Sequence, residues 1–167
     1  ACVPSGGLAR AVRSCIANWP DRDAERIQLR ELDSFVAGAL GRRSRACSFN
    51  GDCRNYFCLN HDGGIYPCDD MTNRPELRFG DLRLERLESI LDGPVRRGIL
   101  ERFEARTGPC TACAWWEVCH NGCPGQRRGG ITGTYALCAD RKEMFTLTTQ
   151  MLQRDDQGIA NDLEHAL

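Results

Sequence analysis

Four cysteines crowd into a fourteen-residue stretch of the chain, and their thiols are the side chains best suited to chemistry. They are Cys110, Cys113, Cys119 and Cys123, and Pro124 follows the last of them. Soft sulfur ligands select zinc or iron–sulfur clusters over magnesium or calcium. In ferredoxin-type runs, a final cysteine followed by proline ligates a second cluster. This stretch therefore predicts a second group of ligands elsewhere in the chain.

Other cysteines supply that second group. Cys47, Cys53 and Cys68 precede the dense stretch, and Cys138 follows it. Eight thiols are enough for two sites of four thiolates each. Free cysteine is among the most buried residue types, so we expect buried structural thiols at the remaining positions: Cys2, Cys15 and Cys58.

Zinc and disulfides are the alternatives to iron–sulfur clusters. Four-cysteine sites are a common structural arrangement for zinc. Zinc ribbons, however, pair two Cys-x2-Cys knuckles about 15–20 residues apart, and here only Cys110 and Cys113 have that spacing. A [4Fe–4S] cluster is larger than one ion and tolerates uneven spacing, so the spacing favours clusters and leaves zinc open. An odd total of 11 cysteines in a chain of 167 residues, with no visible secretory signal, argues against a disulfide scaffold.

Composition limits the partners and the compartment. A net charge of −1 lacks the basic excess of nucleic-acid binders, and no apolar run approaches the roughly 18 residues of a membrane span. Metal-bound thiolates fit a reducing cytoplasm. The chain begins at Ala1 without a methionine, and we expect it to be a piece of a longer protein.

Apolar periodicity predicts helices joined by one β-hairpin. A short helical stretch ends near Asn18, and the other predicted helices run from Asp21 or Asp23 to about Leu40, over 82–91 and 95–106, and onward from Ala139. The helix that ends at Leu40 is amphipathic and needs a partner surface. Asp62-Gly63 predicts a hairpin over 54–68 that brings Cys68 back towards the earlier cysteines. The tail from 153 is expected to fray.

The cysteine pattern over residues 47–138 resembles the SPASM domain, which lies at the C-terminal end of radical S-adenosylmethionine peptide and protein maturases. The resemblance is carried by Cys47-x5-Cys53-x9-Gly63-x4-Cys68 and by Tyr66-Pro67-Cys68-Asp69 and Asn121-Gly122-Cys123-Pro124. It implies an α+β fold, a small irregular domain in which a β-hairpin and several helices wrap round two iron–sulfur sites. Residues 1–46 would then resemble the end of a preceding barrel plus a linker, with the SPASM domain at 47–138 and a C-terminal helix and tail at 139–167.

The resemblance also implies which cysteines share a site. What we call the first thiol set would hold an auxiliary [4Fe–4S] cluster nearer the active site: Cys47, Cys53, Cys68 and Cys123. What we call the second thiol set would hold another [4Fe–4S] cluster: Cys110, Cys113, Cys119 and Cys138. Cys123 thus crosses from the dense stretch to the other site.

As a member of that family, the chain would serve electron transfer and substrate placement in an enzyme that modifies a peptide or protein. S-adenosylmethionine and a third [4Fe–4S] cluster would belong to a barrel, in the same protein or on a separate chain, because no Cys-x3-Cys-x2-Cys run is present here. Asp69 occupies the place of the proposed base of sulfatase-maturing members. An aspartate leaving a hairpin is also commonly a turn or capping residue. Trp115 and Trp116 are expected to shield a cluster from water.

Two functions of other classes remain open on the sequence. One is a non-catalytic peptide-binding module stabilised by zinc or by clusters, and the other is a ferredoxin-like carrier that acts alone. Zinc–thiolate sites are colourless and iron–sulfur sites are brown, so optical absorption separates the zinc alternative from the others.

Overall fold

The elements of the computed structural model are short except for the last helix. The structure describes residues 3–4, 6–18 and 29–164. In chain order the helices and strands are α1 (Gly7–Asn18), α2 (Arg30–Ala39), α3 (Cys47–Asn50), β1 (Cys58–Leu59), β2 (Gly64–Tyr66), β3 (Gly80–Asp81), α4 (Leu87–Leu91), α5 (Pro94–Glu104), α6 (Trp116–Cys119), β4 (Arg127–Arg128), β5 (Thr134–Tyr135) and α7 (Cys138–Glu164). The expected mixture of helices and a small sheet is confirmed.

Helices α1 and α2 pack against α7 around an aromatic core. The buried rings of Phe35, Phe49 and Phe145 meet edge to face, with centroids 5.1, 5.3 and 6.2 Å apart. Such pairs each contribute about 0.5–1.5 kcal/mol beyond their buried area. The partner surface that α2 needs is therefore α7 of the same chain. The predicted start of this helix at Asp21 or Asp23 lies outside the described residues.

Helix α2 ends where the sequence predicts. Gly41 has a φ of +64°, and its N–H donates to the carbonyl of Gly38 at 3.1 Å, while the N–H of Arg42 donates to Ala37 at 2.7 Å. These two bonds form a Schellman cap, which satisfies carbonyls that the last turn leaves unpaired.

Helix α1 ends at Asn18, as predicted, and its beginning is capped by α7. The buried carboxylate of Asp140 accepts the N–H groups of Gly6 and Ala9, both at 3.2 Å. A carboxylate at this end of a helix also interacts favourably with the helix dipole. Cys15 on α1 is exposed, so the prediction of a buried thiol there is wrong; Cys2 lies outside the described residues.

The predicted hairpin is present, but its strands are shorter than expected and a third strand joins them. Strands β1, β2 and β3 form an antiparallel sheet in that order, with Ile65 between Leu59 and Gly80. Gly63 supplies the positive φ of the turn, +81°. Pro67 follows β2 directly and cannot donate to a ladder. The hairpin thus delivers Cys68 beside a buried core.

That second core lies between the sheet and α5. Its buried residues include Ile65 and Leu77 from the sheet region and Ile99, Leu100 and Phe103 from α5. The apolar face predicted for 95–106 is therefore confirmed.

The helix predicted over 82–91 begins only at Leu87, and Leu84, placed on its apolar face, is 83% exposed. The carbonyl of Asp81 accepts the N–H groups of both Leu84 and Glu85 at 3.0 Å. The chain makes a turn there instead of a helix.

Helix α7 continues through Glu164, beyond residue 153, where the sequence predicts fraying. Met144 and Phe145 are buried as predicted, whereas Met151, which was expected in the core, is 42% exposed. Within the described part of the chain, no helix is long and apolar enough to cross a membrane.

Substitution of Asp81 by Asn should make the protein less stable at neutral pH. The Asp81 carboxylate accepts Nη2 of Arg78 at 2.7 Å and both the N–H and Nε of Arg83 at 2.9 Å. Hydrogen bonds from Arg83, together with the charges of Arg83 and Arg78, hold its pKa well below the ordinary value. Because the folded pKa is depressed, the stabilisation is complete above the unfolded pKa of about 3.9 and is lost as pH falls below it.

Denaturant unfolding at a series of pH values measures this effect. The difference between wild type and Asp81→Asn should be constant above about pH 5 and shrink below about pH 4. Asp92→Asn, at an exposed carboxylate, is the matched control and should leave the pH profile unchanged. A difference that persists undiminished at the acid end would contradict the ionic role of Asp81.

Candidate metal centre

The first thiol set gathers between the ends of four different segments. Cys47 begins α3, Cys53 lies in the loop after it, Cys68 follows β2, and Cys123 precedes a 3-10 turn. Burial raises the pKa of Cys53 to about 12, and the charges of Cys123, Cys47 and Cys68 raise it further. These four thiols therefore share one neighbourhood, in which Cys53, Cys68 and Cys123 pack against the core formed by the sheet and α5, while Cys47 is exposed.

The second thiol set gathers around one pocket. All four of its cysteines line this pocket, together with Trp115 and Trp116. Burial raises the pKa of Cys110, and the charges of Cys119, Cys138 and Cys113 raise it further.

The thiols that lie near one another are those that the family resemblance groups together, and the assignment of four ligands to each cluster stays a prediction. In the described part of the chain, no three His, Cys, Asp or Glu side chains converge closely enough to hold a single metal ion. Cys58 belongs to neither neighbourhood. It is half-buried on β1, with its Sγ directed at the carbonyl of Leu59, so the prediction of a fully buried thiol there is wrong.

Backbone N–H groups of two 3-10 turns point at thiols of the first set. Burial raises the pKa of Cys68 to about 11, and a hydrogen bond from the N–H of Asp70 opposes the rise. Burial likewise raises the pKa of Cys123, and the N–H groups of Gly125 and Gln126 oppose it. Pro124 occupies the first position of its turn, where a missing N–H costs no hydrogen bond. Such donors favour the thiolate, which is the form that binds metal.

A left-handed segment, His120–Gly122, connects the two sites. Its three residues have φ values of 49°, 61° and 59°, and it joins Cys119 of the second set to Cys123 of the first. Left-handed backbone costs about 1–2 kcal/mol for each residue other than glycine. At Gly122 a Cβ would also overlap the ring of Tyr135. The surrounding structure must therefore hold this segment in place.

Arg127, which is 7% exposed, binds the carbonyls of the left-handed segment. Its Nε donates to Asn121 at 3.1 Å, and its Nη2 lies 3.4 Å from the carbonyl of His120 and 3.5 Å from that of Gly122. The same Nη2 donates to Phe103 at the end of α5 at 2.9 Å. One guanidinium thus serves all three carbonyls of the segment and anchors it to α5.

Asn121 supplies further support. Its amide donates to the carbonyl of Gly133 at 2.8 Å, and its side-chain oxygen accepts the N–H of Tyr135 at 2.9 Å. Tyr135 in turn pairs with Arg127 across strands β4 and β5. Asparagine is one of the few residues that tolerate left-handed backbone, so residue type and hydrogen bonding agree at this position.

Arg141 of α7 is a second buried cation and lies beside Cys119 of the second thiol set. Its Nη1 donates to the carbonyl of Ser48 at 2.7 Å and lies 3.9 Å from Sγ of Cys119. Its guanidinium sits 4.0 Å from the ring centroid of Phe49 and 4.1 Å from that of Tyr135. Sequence reasoning missed Arg127 and Arg141, because nothing in the spacing of an arginine indicates that it will be buried.

Asp69 lies outside the buried sites. It is exposed at the start of the 3-10 turn that follows Cys68, and its carbonyl accepts the N–H of Thr72 at 3.2 Å. Its carboxylate therefore stands in solvent next to the first thiol set. His120 is half-buried, with its ring against Trp116.

Comparison with known proteins gives matches of sequence and of fold. Residues 47–114 match the SPASM family, described as an iron-sulfur cluster-binding domain. Over 126 residues the chain is 25% identical to a cysteine-type anaerobic sulfatase-maturating enzyme of Clostridium novyi, covering 74% of this chain and 33% of that protein. Over 129 residues it is 26% identical to a serine-type anaerobic sulfatase-maturating enzyme of Klebsiella pneumoniae, covering 77% of this chain and 32% of that protein.

A solved structure shares the fold. Native anSMEcpe with bound AdoMet and Kp18Cys peptide superimposes with a TM-score of 0.67 at 21% identity, covering 90% of this chain and 42% of that one. The chain spans about a third of the length of the curated relatives it matches.

Asn121 allows a test of the left-handed segment with two substitutions. Asn121→Ala loses two buried hydrogen bonds, worth about 0.5–1.5 kcal/mol each, and also places a Cβ residue without a polar side chain at positive φ, which costs about 1–2 kcal/mol. Asn121→Gly loses the same bonds but restores left-handed freedom. We expect Asn121→Ala to be the less stable variant by about 1–2 kcal/mol. Denaturant midpoints of the anaerobically purified proteins measure the difference, and equal midpoints would show that the backbone carries no strain here.

Proposed function

We propose that the chain is the auxiliary cluster domain of a radical S-adenosylmethionine enzyme. Two findings support the proposal: residues 47–114 match the SPASM family of iron–sulfur cluster-binding domains, and the chain is similar in sequence to anaerobic sulfatase-maturating enzymes. The proposed enzyme modifies a peptide or protein substrate in the reducing cytoplasm. A barrel in the same protein or on a separate chain supplies S-adenosylmethionine and a third [4Fe–4S] cluster. Residues 1–46 would link to that barrel, 47–138 would form the SPASM domain, and 139–167 would complete it.

The observation that supports this proposal is the gathering of eight thiols into two neighbourhoods. A [4Fe–4S] cluster has its irons at separate corners, so its ligands need a wider spacing than the ligands of one ion. The four thiols of the second set line one pocket, so they face a common space. The donor chemistry also fits, since four thiolates are the usual ligands of a [4Fe–4S] cluster.

The residues around the thiols would make cluster binding favourable. Backbone N–H groups at Cys68 and Cys123 offset the charge of the thiolates. Arg141 does the same beside Cys119. Trp115 stacks on Phe145, with ring centroids 5.1 Å apart, and lines the same pocket as the thiols of the second set. The clusters, when bound, supply one-electron redox chemistry, and the chain holds both of them in one small domain.

Metal and sulfide analysis with EPR spectroscopy tests the proposal directly. Anaerobically purified protein should contain about eight irons and eight sulfides per chain and give reducible [4Fe–4S] signals. About two zinc ions without sulfide would instead make the chain a zinc-stabilised binding module.

Removal of single thiols tests which cysteines share a site. Cys53→Ala and Cys113→Ala should each lose about four irons and a different one of the two EPR signals, because each removes a ligand from one site only. Cys58→Ala is the matched control, since its thiol belongs to neither neighbourhood, and it should keep about eight irons. Iron loss in Cys58→Ala equal to that in Cys53→Ala would overturn the assignment of Cys53.

We also propose that Asp69 is the base that accepts the substrate proton. Its carboxylate is exposed to solvent, and it adjoins Cys68 of the first thiol set. A general base typically contributes about 10²–10⁴-fold to rate. The alternative is that Asp69 is a turn residue whose side chain takes no part in the reaction.

Asp69→Asn in the full-length enzyme separates the two roles. We expect product formation to fall by about 10²–10⁴-fold with iron content unchanged. Asp70→Asn is the control, because it alters the neighbouring carboxylate and keeps the backbone N–H that serves Cys68; it should retain most of the activity. Equal activities of wild type and Asp69→Asn would eliminate Asp69 as the base.

A further inference from the structure

We propose that the buried guanidinium of Arg127 is a counter-charge shared by both cluster sites and that it sets the reduction potential of both clusters. This inference rests on the proposed function, since it requires that the two thiol sets hold clusters. Arg127 would act as a positioning and electrostatic residue, without ligating either cluster.

The first argument is the unbalanced charge of Arg127. Its hydrogen bonds go to neutral carbonyls, among them that of Ile131 at 2.6 Å and that of Phe103 at 2.9 Å. None of the ion pairs found among the described residues includes Arg127. An isolated buried charge is costly unless a charge of opposite sign compensates it. The position of Arg127 therefore calls for an anionic neighbour that the carbonyls do not provide.

The second argument is that both thiol sets are near enough to provide that charge. Burial lowers the pKa of Arg127, and the charges of Cys53, Cys110, Cys123 and Cys119 oppose this change. Two of these thiols belong to the first set and two to the second. Thiols of both sets thus interact electrostatically with Arg127. The contact of Arg141 with Cys119 involves a thiol of the second set.

The third argument is the short backbone connection between the two sites. The carbonyls bound by Arg127 belong to the left-handed segment, which lies between Cys119 and Cys123. The guanidinium is consequently held at the junction of the two sites by the shortest piece of chain that joins them.

A fixed cation at this junction has a definite electrostatic consequence. Reduction adds one negative charge to a cluster, so a nearby positive charge stabilises the reduced form and raises the potential. Because Arg127 adjoins both sites, both potentials should move in the same direction. The driving force for transfer between the clusters, which depends on the difference between their potentials, should change less than either potential.

Redox titration followed by EPR on the cluster-loaded protein measures this effect. Arg127→Gln and Arg127→Met remove the charge, Arg127→Lys keeps it, and Arg128→Gln is the matched control at the exposed neighbour on β4. At a fixed potential near the midpoint, the ratio of reduced to oxidised cluster should fall about tenfold at both sites in the neutral variants, a shift of about 59 mV for a one-electron couple. Arg128→Gln should titrate like wild type.

The outcomes separate this inference from the proposed function. Absence of iron–sulfur signals in the wild-type protein would refute the proposed function itself. Clusters of wild-type potential in Arg127→Gln, or a shift confined to one site, would overturn the shared role of Arg127. If the neutral variants retain no iron, retention of both clusters by Arg127→Lys supports the need for a positive charge. Equal iron loss in all three Arg127 variants would instead show that Arg127 only braces the left-handed segment.

Discussion

The cost of burying negatively charged sulfur is the constraint on which this structure depends. Burial raises the pKa of five thiols, which shows that the protein interior disfavours their charged form: Cys53, Cys68, Cys110, Cys123 and Cys138. A site that binds metal through thiolates must oppose this tendency. The chain does so with backbone N–H groups directed at sulfur and with buried arginines. Both features restrict the conformation of the surrounding backbone.

The placement of cysteines at the ends of secondary structure follows from that constraint. Inside a helix or a sheet, N–H groups are already paired with carbonyls and cannot serve a sulfur atom. In the first turn of a helix they remain free. Cys68 and Cys123 stand directly before 3-10 turns, and N–H groups of Asp70 and Gly125 in those turns serve their sulfur atoms. The 3-10 turns thus supply N–H groups to two thiols of the first set, while α7 and the two apolar cores supply rigidity.

The sequence predicted those features that depend on local spacing. Cysteine spacing indicated the eight thiols, Asp62-Gly63 indicated the hairpin, and the period of Ile99 and Phe103 indicated the buried face of α5. Strand β3 has two residues, which is too few for a periodic signal. Leu84 fitted a helical stripe, but hydrogen bonds to Asp81 make a turn at that point.

The burial of Arg127 and Arg141 could not be predicted from local residue spacing, for a different reason. Each is buried by segments distant in the chain, as the contact of Arg127 with Phe103 shows. Asn121-Gly122 was the available signal for the left-handed segment, because both residues favour positive φ. Its role as the link between two sites could be seen only after the thiols had been placed in space.

The order of the cysteines couples the two sites mechanically. Cys123 belongs to the first set, although it lies in the chain between Cys119 and Cys138 of the second. Four residue steps span at most about 13–14 Å even when fully extended, and the left-handed segment is far from extended. Cys119 and Cys123 are therefore kept close together, and the hydrogen bonds of Asn121 and Arg127 fix the path of the backbone between them. Because that backbone carries one thiol of each set at its two ends, Asn121 and Arg127 influence the geometry of both sites at once.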